Sequence, residues 1–387
     1  MTRETENTAF LNRIIEAPDD DTVRLVYADW LDENGAPERA AFIRLQIESE
    51  RAEPVTDNPA REHASRLLDQ YGEQWAAEVG FRAPGVSSVY FRRGFIESVR
   101  AFAAVFVRHG AGWVHRAPVR GLRLTHVAGG SSRLGACRHL QRITELQLCD
   151  PSLGTRDLRE LITSQNLRLR SLQIQGGSGE DVWRRQACQV GTDGLGGLAE
   201  APFLAQLERL RICTRAVVGG RGLRALAESK NIGSLRSFEL TGGDVADAGA
   251  LVLANSTRLG GLESLTLESN SLSGTGMVAL LHSPGLRGLV DVDLSYNWGF
   301  DFTIRGLSGL NLPPRLELIR MGGSPISSPT ALHLIQLMRA NPRLVIDLNK
   351  WDVPKELREQ LEEVYSTKHW PTRGFDPCLV CGVTYLD

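Results

Sequence analysis

The residues of this 387-residue chain that could do chemistry are few, and the most suggestive lie near its end. Cys378-Leu379-Val380-Cys381-Gly382 is a Cys-x-x-Cys turn closed by glycine, which is half of a zinc site. His369 could be a third ligand, and no obvious fourth follows. The same two thiols could instead form a redox pair or belong to an ordinary tail, and the spacing leaves all three open. Zinc at this turn is the sole cofactor the sequence suggests. Gly220-Arg221-Gly222-Leu223-Arg224-Ala225 mimics half of a dinucleotide-binding fingerprint. It lacks the acidic residue expected some 20 positions on, so it reads as a structural turn. His63, His109, His115, His126, His139, His282, His333 and His369 never fall at ligand spacing with one another. Cys149 and Cys213 take equivalent face-exposed slots two units apart, with no histidine on that face to activate them. No carboxylates form an acid/base pair. These patterns predict a protein that is not an enzyme.

The elements that position these residues come from a repeat. The pattern apolar-x-x-apolar-x-apolar recurs as Ile96/Val99/Ala101, Val119/Leu122/Leu124, Ile143/Leu146/Leu148 and Leu169/Leu172/Ile174. It continues as Leu207/Leu210/Ile212, Leu235/Phe238/Leu240, Leu262/Leu265/Leu267, Leu289/Val292/Leu294 and Leu316/Ile319/Met321. A last copy starts at Arg343 and ends on Ile346 and Leu348. Starts are 23 to 28 residues apart except for one interval of 38. The alternation in each copy is that of a strand with one buried face. Between copies lies helical spacing, as in Met277, Leu280 and Leu281, or Leu223, Leu226 and Ala227. A strand and a helix in about 27 residues cannot bury their apolar faces alone, so the units must stack into one core.

Over residues 95–350 this pattern resembles the leucine-rich repeats of the long, ribonuclease-inhibitor type. The resemblance implies an α/β solenoid of about ten units, a horseshoe with a parallel concave sheet and outer helices. The turn asparagine of that family, nine residues into each unit, appears only as Asn270 and Asn297. Elsewhere the slot holds Val127, Pro151, Gly177, Arg215, Gly243 or Ser324, so other groups must supply its buried hydrogen bonds. The one long interval places an inserted loop around 176–190 with Trp183, Arg184 and Arg185. These types are enriched at binding hot spots; the alternative is that Trp183 folds back onto the solenoid.

Ahead of the repeats, Phe10, Leu11, Ile14 and Ile15 form one helical stripe ended by Pro18. Asp19 to Thr22 offer caps for a second helix carrying Leu25, Tyr27, Ala28, Trp30 and Leu31, which stops at Asn34-Gly35. A third carries Ala41, Phe42, Ile43, Leu45 and Ile47. The strings Arg24-Leu25-Val26-Tyr27-Ala28-Asp29-Trp30-Leu31 and Arg39-Ala40-Ala41-Phe42-Ile43-Arg44-Leu45-Gln46 resemble the bacterial repeat-companion domain of planctomycetes and myxobacteria. That resemblance implies an architecture, a small all-α module before leucine-rich repeats, and no activity. Asp29, Arg24 and Arg44 could form a recognition surface around Trp30, although a core Trp30 with an internal ion-pair set is the plainer expectation. The expected organisation is a helical module over 1–52, a linker and N-terminal capping helix over 53–94, the solenoid over 95–350, and a C-terminal capping helix with the Cys-x-x-Cys tail over 351–387.

A formal net charge of -2 argues against general nucleic-acid binding. Residues 1–95 hold 11 Arg against 18 Asp/Glu, a net of -7, which leaves about +5 for the rest. The N-terminus lacks a signal-peptide plan, no stretch reaches the roughly 20 apolar residues of a membrane span, and six scattered cysteines are no disulfide framework. A cytoplasmic protein is expected. The third and fifth residues of each strand motif should line the concave face. They include Arg100, Arg123, Arg209 and Arg211 in the early and middle repeats. Glu239, Asp291, Asp293 and Asp347 follow, joined by Glu268 at the seventh position, with Glu145 as the main exception. The expected function is a protein-protein interaction scaffold or recognition subunit binding a protein partner on this face. The alternative is a regulatory or substrate subunit of a bacterial protease or defence complex. The sequence names neither the partner nor the oligomeric state.

Overall fold

The computed structural model describes residues 2–52, 58–177, 187–297, 312–323, 326–349 and 352–368. Two compact units divide after Gln147. In both, the strands lie side by side in chain order.

The first unit begins with four helices, α1 (Arg3–Glu16), α2 (Asp21–Glu33), α3 (Pro37–Arg51) and α4 (Pro59–Glu78). Local chemistry sets their starts. Thr2, Asp20 and Asn58 accept main-chain N–H bonds as N-caps, and Pro37 and Pro59 occupy the first helical turns. Gly35, at φ +80°, ends α2 as expected of Asn34-Gly35. Ile14, Tyr27, Ala28, Leu31, Ala40, Ile43 and Ile47 form the core with Phe95. Each buried Ile, Leu or Phe there stabilises by about 1.5–3 kcal/mol.

Next comes a hairpin that the repeat pattern does not contain. Strand β1 (Val86–Arg92) runs antiparallel to β2 (Phe95–Phe102), with Arg92 opposite Phe95. Its two-residue turn, Arg93-Gly94, has φ of 48° and 85°, as a type I′ turn requires. It lies inside the segment expected as linker and capping helix. Arg24 of α2 is fully buried against it. Its guanidinium donates to the carbonyls of Pro18, Arg92 and Arg93 and to Glu97 Oε1 at 2.6 Å. Burial pulls the Arg24 pKa down to about 10, and Glu97 opposes the shift. Gln46 of α3 serves the turn too, accepting from Gly94 N at 2.7 Å. Repeats then follow: α5 (Ala103–Arg116), β3 (Gly121–Thr125), α6 (Ser131–Ala136) and β4 (Glu145–Cys149).

The second unit is a run of parallel strands β5 (Ser171–Gln175), β6 (Arg209–Cys213), β7 (Ser237–Thr241), β8 (Ser264–Thr266), β9 (Asp291–Asp293), β10 (Leu318–Arg320) and β11 (Val345–Asp347). Between them lie α7 (Thr155–Ile162), α8 (Thr192–Glu200), α9 (Gly219–Ala227), α10 (Ala246–Ala254), α11 (Gly274–Leu281) and α12 (Ser328–Ala340), with α13 (Arg358–Ser366) last. The pairing puts Leu172, Leu210, Phe238, Leu265, Val292, Ile319 and Ile346 in one row. None is more than 1% exposed. This is the leucine-rich-repeat solenoid in which parallel strands need helical crossovers and each repeat buries the next. Gly222, Gly249 and Gly276 stand in the first turns of α9, α10 and α11, where a Cβ would meet the preceding repeat at 3.1, 2.8 and 2.4 Å. The Gly220–Ala225 string is therefore a packing feature of a helix start.

Two ladders of buried polar groups run through the repeats. Asn297 Oδ1 accepts from Asn270 N at 2.8 Å and Leu272 N at 3.0 Å, and Asn270 Oδ1 accepts from Gly243 N at 2.9 Å. Two repeats before Asn270, Thr214 takes over, its Oγ1 donating to Val190 O at 2.8 Å and accepting from Ala216 N at 3.1 Å. At the other end of each helix, Ser229, Ser256 and Ser283 donate to Ala199 O, Ala227 O and Ala254 O. Thr214 thus supplies with a hydroxyl what an asparagine supplies two repeats on, and all four hydroxyls satisfy main-chain carbonyls that would otherwise be costly.

Candidate interaction face

Opposite the helices, alternate residues of each strand point away from the core. In the second unit the register sets Gln173, Arg211, Glu239, Thr266, Asp293, Arg320 and Asp347 in one row. A second row holds Ser171, Arg209, Ser237, Ser264, Asp291, Leu318 and Val345. Strands about 4.8 Å apart crowd the long side chains together, and Arg209, Arg211, Glu239, Glu268, Asp291, Asp293 and Asp347 are all half-buried.

Arg211 Nε meets Glu239 Oε1 at 2.8 Å, and Arg320 Nη1 grips Asp291 at 2.8 and 3.0 Å. Arg320 fills the fifth position of its motif, so the register rule finds it, yet it was absent from the acidic run expected there. Burial raises the carboxyl pKa of Glu239 against the opposing Arg211. It raises Asp291 and Asp347 against Arg320, with Asp293 adding to both shifts. Glu268 is pushed up to about 7 by burial first, then by Asp293 and Glu239. The face thus holds carboxylates in excess of its arginines, at positions where charge is poorly solvated.

In the first unit, Arg100 and Arg123 are directly opposite across β2 and β3. Arg100 is half-buried, whereas Arg123, expected at an open face, is only 8% exposed. Neighbours at strand spacing on both sides cover its stem. Cys149 departs from expectation in the same way. It is buried, while Cys213 is half-buried with its thiol pushed up to about 11 by burial first and Cys188 second. A thiol so shifted stays protonated at neutral pH and is a poor nucleophile.

The N-terminal charges do not converge on one surface. Arg24 is core, while Arg44 bridges Asp29 at 2.6 Å and Asp32 at 2.7 Å on the outside. Trp30 is half-buried between Phe10 and Tyr27. Trp183, Arg184 and Arg185, and equally His369, Cys378 and Cys381, lie outside the described residues. Among the described residues no three His, Cys, Asp or Glu side chains gather as a metal would need, and no helix is long and apolar enough to cross a membrane.

By strand register and helix placement the fold is that of a leucine-rich-repeat solenoid. No protein-family description matches the chain, and no curated protein does. Among solved structures, the yeast Rad7 and Elc1 complex contains a similar chain, at 11% identity and a TM-score of 0.38, covering 85% of this chain and 92% of that one. The likeness is remote, and the fold assignment stands on the register described above.

Proposed function

We propose that this chain is a non-catalytic recognition module that binds a protein partner on the open face of its strands. The observation that carries this reading is the row from Gln173 to Asp347. Seven consecutive strands present a polar or charged side chain at the same level. Carboxylates in this row and beside it bear the cost of burial and mutual repulsion, seen in the raised pKa of Glu239 and Asp347 within it and of Glu268 and Asp291 next to it. Folding alone gains nothing from that arrangement, whereas a partner of complementary charge relieves it and associates faster at low salt.

Capture from cells of the native host tests the reading. Wild type and a helix-side control, Arg224→Glu, should retain one protein in stoichiometric amount by quantitative mass spectrometry. Asp293→Lys with Asp347→Lys should lose it. Equal retention by all three would move the interface off this face.

A further inference from the structure

We infer that the helix side of the first unit carries a separate docking surface, on α5, α6 and the short helix after them, that receives an acidic segment of a protein partner over Gly112. It lies apart from the strand face and stands or falls without it.

Charge is segregated along this stretch of the chain. Residues 98–144 contain no Asp or Glu, against eight Arg and four His. Arg100 and Arg123 go to the strands, and Arg120 pairs with Asp19 and Glu97. The other five arginines stay on the helix side, and all are exposed. Arg108 and Arg116 lie on α5 beside the exposed His109 and His115, and Arg133 lies on α6. Arg138 and Arg142 begin and end a short 3-10 helix (Arg138–Arg142). α5 packs against both of these elements, and the His115 ring lies 6.4 Å from that of His139. Among the described residues no carboxylate pairs with any of the five; Arg116 donates only to Val79 O, at 3.5 Å. The outer helices of the second unit differ. There Arg156 meets Glu160 at 3.0 Å, and Arg339 meets Glu363 at 2.8 Å. Exposed arginines without counter-charges raise the local potential and favour an anionic partner.

Gly112 marks where the segment sits. It stands four residues from both Arg108 and Arg116, so the three share one face of α5. A glycine inside a helix destabilises it, and packing does not call for this one. A Cβ there would meet nothing from another element, only the Arg116 guanidinium at 3.6 Å. The missing side chain leaves a dip between two guanidinium groups, each able to hold a carboxylate through a planar fork of N–H donors. Two features favour a short protein segment over nucleic acid. Phe106 and Trp113 of α5 are buried, so neither ring is offered for base stacking. α1 of the acidic N-terminal module packs against α5, and residues 1–95 carry a net charge of -7, which repels a long polyanion running past the patch.

Fluorescein-labelled hexaglutamate is the probe, read by anisotropy on the full chain. Wild type should bind it, more weakly as salt is added. Arg108→Gln with Arg116→Gln should lose at least tenfold in affinity, while Arg224→Gln on α9 stays within twofold. Gly112→Leu keeps every charge and fills the dip. It should weaken binding severalfold while the melting temperature holds or rises, and it decides the matter if the double variant fails to fold. No binding by wild type, or affinities within twofold of wild type in both α5 variants, overturns the inference. An equal loss in Arg224→Gln also overturns it, because binding would then follow net charge and not this patch. So does tighter binding of labelled hexathymidylate, which would assign the surface to nucleic acid. Salt-sensitive self-association in light scattering, abolished by the double variant, would make a second copy the occupant and overturn it as well. None of these results touches the strand-face reading, which the capture experiment decides.

Discussion

At Glu268, a raised carboxyl pKa ties the charge of the face directly to stability. Its folded value of about 7 lies above the ordinary 4.5, so folding takes up a proton between those limits. Stability contributed by this group is therefore complete below about 4.5 and falls as pH rises toward about 7. Glu239, Asp291 and Asp347 are shifted in the same direction and steepen the trend. Glu268→Gln should stabilise the protein at pH 8 by on the order of 1 kcal/mol, allowing for solvent screening, and change little at pH 4. Urea melts at the two pH values check this. A Glu268→Gln variant less stable than wild type at pH 8 would contradict this, because the carboxylate would then have a partner that outweighs burial and the neighbouring charges.

At the scale of the strand and helix, the repeat register makes a paired prediction. Leu265 is fully buried between Phe238 and Val292, so Leu265→Asp should cost several kcal/mol by burying an unpaired charge. Thr266 faces outward, but it lies between Glu239 and Asp293. An aspartate there would add a third carboxylate, so the neutral Thr266→Asn is the fair comparison, expected within about 0.5 kcal/mol of wild type. Equal losses in a melting experiment would remove the register. That register was legible because a leucine row with a period near 27 repeats many times over. The Arg93-Gly94 hairpin was not, since one copy of a turn signal has no period to support it; the alternation Val89, Phe91 around Arg93-Gly94 was the available clue. The hydroxyl ladders escaped for a different reason. Thr214 does the asparagine's work from one residue ahead of the expected slot, while Ser229, Ser256 and Ser283 keep the period at a position the motif does not mark.

Each unit also has to close an exposed end, and the sequence assigned that work to helices. In the first unit Gln46 and Arg24 bond the main chain of the β1–β2 turn region. In the second, Tyr365 of α13 reaches β11, its hydroxyl accepting from Leu348 N at 2.8 Å and donating to Ile346 O at 2.9 Å. Burial drives the Tyr365 phenol well above its ordinary range, so it remains a donor. Capped edges discourage strand addition. The arginines and carboxylates of that face were legible from the strand motif, but their pairing was not. Which carboxylate Arg211 or Arg320 neutralises depends on the neighbouring strand, more than twenty residues away. Calorimetric titration of the captured partner tests the central claim most directly. Asp293→Lys with Asp347→Lys should weaken binding by about 2 kcal/mol, roughly thirtyfold, while Arg224→Glu leaves it unchanged. Undiminished affinity in the face variant, or an equal loss in the helix-side control, would contradict a protein-binding role for the strand face.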